Sequence, residues 1–350
     1  MNNTVMIGGT PVGEGCPTYI VAEMSANHLG DYSRALEIVH AAAEAGADAV
    51  KLQTYTADTI TIDCDAPCFR INTGTIWDGT TYYDLYKEAY TPWEWQPRLM
   101  EEAKKLGIAC FSSPFDRTAV EFMAEMDMPA YKIASYEIAD IPLIRACAEK
   151  GKPVILATGI ASMEEIRDAL DACRKAGNDQ IVLLKCVSAY PAPLEDLNLR
   201  MLPTLAKTCG CVTGLSDHSM SSAVAVAAVA LGAHMVEKHL TLRREDGGAD
   251  GSFSMEPGEF AAMVRDIRDV DKALGSSEYA LTEQQKEEHI GGRSLFVVKD
   301  IAAGEEFSPE NIRSIRPGDG LAPKYYDGIM GRRAAAPLKR GKPLSWEDIV

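Results

Sequence analysis

Eight short apolar runs alternate with helix-like segments along most of the chain, and this alternation limits the fold more than any other feature. The segments 33–46 and 163–177 combine Ala and Glu with periodically spaced apolar residues and end at a Gly, as helices do. Apolar strands that alternate with helices predict a parallel sheet covered by helices. Eight such units in roughly 260 residues predict a (β/α)8 TIM barrel. The runs begin at Tyr19, Asp48, Ile108, Ala130, Pro153, Ile181, Cys211 and His234.

An open doubly wound sheet is the alternative, but it requires a Gly-rich turn after the first strand, and AEMSANHLGD supplies none.

The second βα unit carries a long insertion between Thr54 and Trp93. Insertions of this length are usually functional covers or disordered segments. Because this one is rich in aromatic residues, we expect an ordered lid over the active site, with a purely structural insertion as the alternative.

The composition changes after Leu274. Residues 276–292 are polar and charged, which predicts a short helix and a linker. Residues 293–350 show alternating strand patterns and several Gly turns, and they predict a small second domain that packs on another surface. The predicted organisation is therefore a catalytic barrel over 1–275, a linker over 276–292 and a C-terminal domain over 293–350.

The charge balance and the cysteines limit the partners and the compartment. Lys and Arg number 35 against 51 Asp and Glu, a net charge of -16, which argues against a nucleic-acid partner. The apolar run around Ala223–Ala233 is too short to span a membrane, and the N-terminus lacks a secretory pattern. The nine cysteines are scattered, including Cys64 and Cys68 without a second pair. We therefore expect a cytoplasmic protein with free thiols.

The ends of the last two predicted strands bring two histidines together. Ser216 and His218 share a face of the seventh strand, and Glu237 and His239 share a face of the eighth. Neighbouring strands lie about 4.8 Å apart, so both imidazoles can reach one metal ion. Two hydrogen-bonded core histidines are the structural alternative.

Lysines near buried strand ends are the second unusual feature. Lys51 and Lys132, together with serine hydroxyls, predict a site for a phosphate and a carboxylate. We expect Lys238 instead to point outward and to extend its ammonium towards water. Glu23 lies at the end of the first strand and has two possible roles. It is a general base or a substrate anchor near the metal, or alternatively it forms a structural salt bridge with Lys51.

Taken together, the strings AEMSANHLGD, GADAVKLQTYTADT, FSSPFD, PAYKIASYEI, KPVILATGIAS, GLSDHS and EKHLT resemble the sialic acid synthase family. The string KDIAAGEEFSPENIRSIRPGDG resembles that family's antifreeze-like (SAF) domain, so the similarity covers almost the whole chain. Within the family, TITIDCD and the lid sequence are most similar to the pseudaminic acid synthases. Synthases that act on N-acetylmannosamine or on the legionaminic acid precursor are the competing assignments.

The resemblance implies a condensation. The methylene carbon of phosphoenolpyruvate would add to the aldehyde of an open-chain amino sugar, 2,4-diacetamido-2,4,6-trideoxy-L-altrose. Water would attack the enol carbon, and phosphate would leave with cleavage of the C–O bond. The resemblance also implies a homodimer with a swapped C-terminal domain, because in the family an Arg at the position of Arg316 enters the partner subunit's barrel.

The resemblance also assigns roles to individual residues. The metal, Mn²⁺ with Mg²⁺ or Co²⁺ as alternatives, would be bound by His218 and His239, and Glu23 would be the catalytic or sugar-orienting carboxylate. Tyr190 and Asp250 correspond to sugar contacts. The residues that match phosphoenolpyruvate contacts are Lys51, Gln53, Ser113, Lys132, Ser135 and Ser216.

Two residues depart from the pattern of the sialic acid synthases: Ala157 replaces a Ser that touches the phosphate, and Ser188 replaces an Asn. Two further functions remain as alternatives. A Schiff-base aldolase would use Lys132 or Lys185 as its amine. A carbohydrate- or ice-binding protein on an inactive barrel would have no reason to retain buried charge at the strand ends.

Overall fold

The computed structural model describes residues 4–72 and 74–350, which form two compact units divided between Gly275 and Ser276. Thr73 of the predicted lid and residues 1–3 of the predicted barrel domain lie outside the described residues. None of the described helices combines the length and the apolar composition that crossing a bilayer would demand.

The first unit is a closed parallel barrel, as the alternation of runs predicts. Within the described residues its eight strands follow chain order around the ring, and the last strand pairs with the first. All eight predicted strands are confirmed. They are β3 (Tyr19–Glu23), β4 (Ala49–Thr54), β5 (Ala109–Pro114), β6 (Tyr131–Ile133), β7 (Val154–Ala157), β8 (Ile181–Cys186), β9 (Val212–Asp217) and β10 (Met235–His239).

Helices cover the outer face of the barrel, and side chains at their first turns fix where several of them begin. The carboxylates of Asp31 and Asp116 accept hydrogen bonds from backbone amides at two of these starts, and Ser162 forms a capping box with Glu165 at a third. The covering helices are α1 (Tyr32–Glu44), α4 (Gln96–Lys105), α5 (Arg117–Glu125), α6 (Ile141–Ala148), α7 (Met163–Lys175), α8 (Met201–Cys209), α9 (Ser222–Ala230) and α10 (Pro257–Leu274).

A β-hairpin that the sequence did not predict precedes the barrel. Strands β1 (Thr4–Ile7) and β2 (Thr10–Gly13) pair in antiparallel fashion. Val5, Ile7 and Val12 of this hairpin are buried in one cluster with residues from the barrel interior, among them Tyr19 and Phe111. The hairpin therefore fills the N-terminal end of the barrel with apolar side chains.

The insertion in the second βα unit, residues 55–95, is the lid. It contains helices α2 (Ala57–Ile60) and α3 (Tyr82–Ala89) and two short 3-10 turns, at Pro67–Phe69 and Trp93–Trp95. Aromatic side chains order it: Tyr55 packs edge-on against Tyr86. The lid is thus a structured element, as its aromatic content predicts.

The second unit has a small apolar core built from residues such as Leu295, Phe307 and Leu338. It contains helices α11 (Glu283–Glu288) and α12 (Tyr326–Ile329) and the antiparallel pair β11 (Ser294–Val297) and β12 (Ile312–Ile315). The rest of its described backbone pairs through isolated bridges, so it contains less regular strand than the alternating pattern suggested.

Candidate active site

The C-terminal ends of the barrel strands and the inner face of the lid enclose a cavity of about 550 Å³. Parallel strands direct their C-terminal ends to one rim, and this is why residues far apart in sequence meet here. Ten of the predicted site residues line the cavity: Glu23, Lys51, Gln53, Lys132, Ser135, Tyr190, Ser216, His218, His239 and Asp250.

The other two predicted site residues lie elsewhere. Ser113 is buried and does not line the cavity, but its hydroxyl accepts a hydrogen bond of 3.3 Å from Lys51 Nζ, which does. Arg316 is an exposed residue of the second unit and directly follows β12.

A cluster of buried charges forms the floor of the cavity. Lys51 Nζ lies 2.9 Å from Glu23 Oε2 and 3.4 Å from Glu237 Oε1, and Lys132 Nζ lies 3.6 Å from the same Glu237 oxygen. Gln53 Nε2 donates a hydrogen bond of 2.8 Å to Glu23 Oε1. Glu23 thus forms the predicted salt bridge with Lys51, and its carboxyl also faces the cavity.

Burial sets the electrostatics of this cluster. Burial raises the pKa of Glu23 above its ordinary value, and the opposing attraction of Lys51 does not cancel that effect. Burial lowers the pKa of Lys132. For Glu237 burial alone would raise the pKa, but the ammonium groups of Lys132 and Lys51 outweigh it and hold the pKa below its usual range. The cluster therefore holds two cations that an incoming anion can share with two carboxylates.

Ser135, which lines the cavity, packs with Ser188 against Gly159. The backbone N–H of Gly159 donates to Ser135 Oγ at 3.1 Å. A Cβ at Gly159 would lie 2.1 Å from Ser188 Oγ and 2.6 Å from Ser135 Oγ, so only glycine leaves room for both hydroxyls. Ser188 Oγ is buried and has no hydrogen-bond partner among residues 4–72 and 74–350. The Ser188 hydroxyl lies on the same side of Gly159 as that of Ser135, which lines the cavity.

The two predicted metal ligands lie side by side. The rings of His218 and His239 have centroids 5.3 Å apart, which suits a single ion at about 2.1 Å from one nitrogen of each ring. Nδ1 of His218 donates to the carbonyl of Val187 at 2.8 Å, so Nε2 is the ring nitrogen that could bind a metal. Burial lowers the pKa of His239 well below its usual range, so its ring is neutral, and its Nδ1 is buried without a partner in the described chain.

These imidazoles fit a divalent ion, and the protein supplies few further ligands. No group of three or more His, Cys, Asp or Glu side chains with metal-binding geometry occurs in the part of the chain that the structure describes. A metal held by two imidazoles would have its other positions open to water and substrate, as catalytic metal sites do.

The side of the cavity next to the histidines carries the predicted sugar contacts. The ring of Tyr190 packs on His218, with centroids 4.3 Å apart. Asp250 is buried, accepts a short hydrogen bond from Ser25 Oγ, and has its pKa raised by burial. The lid closes this side of the cavity with apolar side chains that include Phe69, Ile71 and Trp77.

Glu237 and Cys186 are two ionisable residues of the cavity that were not among the predicted site residues. Glu237 joins Lys51 to Lys132 at the centre of the charge cluster, and its alternation with His239 on β10 was the signal that could have identified it. The thiol of Cys186 lines the cavity 3.9 Å from His218 Nδ1. Its pKa is about 7, because the neighbouring His218 and Lys132 outweigh the effect of burial. No sequence pattern indicated this thiol.

The prediction for Lys238 is wrong in one respect. Lys238 faces away from the cavity, but its ammonium does not reach water: the side chain is 1% exposed and Nζ lies 2.6 Å from Asp217 Oδ2. A buried lysine needs such a partner, and Asp217 on the neighbouring strand supplies it. Lys185 Nζ donates to the carbonyl of Cys186 at 2.7 Å.

Comparison with known proteins identifies the family. The NeuB family profile matches residues 38–279, and the SAF domain profile matches residues 292–350. The chain belongs to the NeuB family. The resemblance to the sialic acid synthases and the predicted architecture, a TIM barrel followed by a SAF domain, are thereby confirmed.

Individual NeuB-family proteins are similar over nearly the whole chain. The pseudaminic acid synthase of Helicobacter pylori is 45% identical over 95% of this chain and 98% of its own. The N,N'-diacetyllegionaminic acid synthase of Legionella pneumophila is 35% identical over 99% of both chains. The crystal structure of N-acetylneuraminic acid synthetase from Leptospira borgpetersenii, in complex with citrate, has a TM-score of 0.73 and 33% identity, and it covers 82% of this chain and 95% of its own.

Proposed function

We propose that this protein is a pseudaminic acid synthase, which condenses phosphoenolpyruvate with 2,4-diacetamido-2,4,6-trideoxy-L-altrose and water to give pseudaminic acid and phosphate. The observation that carries the proposal is the pair of buried lysines beside two histidines under an ordered lid. The higher identity to a pseudaminic acid synthase than to a legionaminic acid synthase favours this branch of the family.

The lysine cluster suits the anionic substrate. Phosphoenolpyruvate carries a phosphate and a carboxylate, and Lys51 and Lys132 provide two ammonium groups in a site shielded from water. The hydroxyls of Ser135 and Ser188 lie together at Gly159 and can donate to the phosphate oxygens. Before substrate binds, Glu23 and Glu237 balance the two lysines, so the site does not hold uncompensated buried charge.

Glu23 is the group we assign to proton transfer. Its carboxyl faces the cavity between Lys51 and Gln53, within reach of a substrate held by the lysines. In the reaction the methylene carbon of phosphoenolpyruvate bonds to the aldehyde carbon, whose oxygen takes up a proton. Water adds to the enol carbon and gives up a proton, and the C–O bond to phosphate breaks.

His218 and His239 are the residues that would hold a divalent metal, with Mn²⁺ as our first choice and Mg²⁺ or Co²⁺ as alternatives. When bound, such an ion supplies Lewis acidity that polarises an aldehyde. The protein's own contribution is to orient the two rings: the Val187 carbonyl fixes His218, and Tyr190 packs against it.

We further propose a cytoplasmic homodimer in which Arg316 of each subunit completes the sugar site of the other. The exposure of Arg316 supports this arrangement, and nine free cysteines support a reducing compartment. Mixed dimers test the first part. The Lys132→Met and Arg316→Ala variants are each expected to be inactive alone and to regain activity after subunit exchange, because one site then carries both intact residues. Failure to regain activity, in dimers shown to be mixed, would rule out a shared site.

Phosphate release tests the main proposal. The protein is loaded with Mn²⁺ and incubated with phosphoenolpyruvate and one of three sugars: the altrose-configured diacetamido sugar, its legionaminic counterpart or N-acetylmannosamine. Release with the first sugar alone is expected. Release with another sugar alone would keep the chemistry and change the branch of the family. If none supports release, borohydride trapping with pyruvate tests the aldolase, because only a Schiff base becomes covalently labelled.

A further inference from the structure

Trp77 is the residue of the lid that reaches across the cavity. The adjacent residues Ile76 and Asp78 are exposed and do not line the cavity, whereas Trp77 is half-buried and does. Its indole Nε1–H donates a hydrogen bond of 2.9 Å to the backbone carbonyl of Ala249. A tryptophan in an otherwise exposed turn is thus held by a specific contact 172 residues away in sequence.

The loop that Trp77 contacts carries Asp250, the carboxylate predicted to contact the sugar. Asp250 is held from the other side by Ser25 Oγ and the backbone N–H of Ala26. The backbone carbonyl of Asp250 also accepts a hydrogen bond of 2.7 Å from Ser254 Oγ. The indole therefore fixes the residue immediately before Asp250 and connects the lid to the backbone that positions this carboxylate.

The faces and edges of the indole ring also contribute to the cavity wall. Its centroid lies 5.6 Å from that of Tyr190 and 6.5 Å from that of Phe253, in edge-on arrangements. Phe253 in turn packs against His239 at 5.1 Å. Aromatic edges of this kind form an apolar surface beside the histidine pair, and together with Phe69 and Ile71 they suit methyl groups better than hydroxyls.

We propose that Trp77 is a positioning and specificity-determining residue. Its N–H fixes the Asp250 loop, and its ring selects a deoxy sugar with acetamido groups over a sugar that carries a hydroxymethyl group. The second half of this inference rests on the proposed function, whereas the first half concerns the protein alone. Trp77 does not take part in the bond-making steps, so its substitution changes recognition of the sugar and leaves recognition of phosphoenolpyruvate intact.

The steady-state experiment compares Trp77→Ala and Trp77→Phe with Ile76→Ala. Ile76 is a matched control, because it is the adjacent lid residue, is 53% exposed and does not line the cavity. Trp77→Ala is expected to lower kcat/KM for the diacetamido sugar by about 30-fold and the preference for it over N-acetylmannosamine by about tenfold. Trp77→Phe, which loses the hydrogen bond but keeps an aromatic ring, is expected to raise KM for the sugar about threefold to tenfold. KM for phosphoenolpyruvate should stay unchanged in all three variants.

A second measurement does not depend on the identity of the sugar. Hydrogen exchange of the backbone amides in residues 247–252 is expected to be about fivefold or more faster in Trp77→Phe than in wild type, and unchanged in Ile76→Ala. If the wild type releases phosphate with none of the sugars, the proposed function fails, and this exchange experiment still decides whether Trp77 positions the loop. Unchanged exchange in Trp77→Phe, or parallel losses for both substrates in Trp77→Ala, would overturn the inference about Trp77.

Discussion

The two ends of the barrel are built from the same eight strands and have opposite chemistry. At the N-terminal end, the β1–β2 hairpin buries Val5, Ile7 and Val12 against the apolar interior. At the C-terminal end, Lys51 and Lys132 share the interior with two carboxylates and two imidazoles. The first arrangement buries apolar area and stabilises the fold. The second buries charge, which costs stability and therefore needs a functional reason to be retained.

Polar groups at the N-terminal end are also arranged differently. Asp48 Oδ2 accepts hydrogen bonds of 2.7 Å from the backbone of Ile20 and from Arg268, and Asp271 accepts two from Thr18. At the C-terminal end, Glu237 Oε2, His239 Nδ1 and Ser188 Oγ are buried without a hydrogen-bond partner in the described chain. The Tyr19 hydroxyl at the N-terminal end also lacks a partner among the described residues, but the carboxylate of Glu237 and the ring of His239 line the cavity, and unsatisfied buried polar atoms beside a cavity indicate a site prepared for ligands.

The largest expected effect comes from Lys132→Met. Lys132→Met removes one cationic partner of the buried Glu237 carboxylate and leaves Lys51 as the other, so the free energy of unfolding should fall or change little. Phosphate release should fall by about 10²–10³-fold, since one cation that stabilises the anionic transition state is lost. Urea denaturation and a phosphate assay measure the two effects. If Lys132→Met kept its activity, the buried charge at the C-terminal end would have no role in the reaction, contrary to this comparison of the two ends.

The histidine pair is expected to have the next largest effect. His218→Gln and His239→Gln should each lower bound metal after dialysis and reduce phosphate release about 10²-fold or more, and chelation of the wild type should do the same. His40→Gln is the control, because His40 is a surface residue paired with Glu102. Metal analysis alongside the activity assay distinguishes loss of the ion from loss of the fold. Equal metal content in all three variants would mean that these histidines are core residues.

Gly159→Ala is expected to have an intermediate effect confined to phosphoenolpyruvate. The new Cβ would displace the hydroxyls of Ser135 and Ser188, and the loss of about one hydrogen bond raises KM for phosphoenolpyruvate about tenfold. Gly258→Ala is the matched control, since a Cβ there meets nothing within 4 Å. If KM for the sugar changed instead, these two serines would contact the sugar and not phosphoenolpyruvate.

The smallest effect on activity is expected at the N-terminal end, where Arg268→Met should leave phosphate release unchanged. Arg268 donates to Asp48 and to the carbonyl of Thr18, and losing these partly exposed bonds should lower the free energy of unfolding by about 1–2 kcal/mol. Arg265→Met on the same helix removes only an exposed contact with Asp266 and serves as the control. Loss of activity without loss of stability in Arg268→Met would show that the two ends are not separable.

The eight strands and the rim residues could be predicted because their signals are local. A β-branched run predicts a strand wherever it lies, and alternation along a strand determines which side chains face the interior. The same reasoning applied to Glu237 would have added it to the site. The hairpin β1–β2 escaped prediction because its strands are short and because its apolar side chains are buried only by barrel residues that lie far away in the sequence.

The barrel, the lysines and histidines at its rim and the family resemblance could be read from the sequence, because strand period and residue type are properties of short segments. The neutralisation of Lys238 by Asp217, the room that Gly159 leaves for two hydroxyls and the contact of Trp77 with Ala249 appear only in the folded chain. Each of these depends on distances between segments far apart in the chain. Those distances are fixed by closure of the barrel and by the packing of loops upon it, and no local pattern encodes them.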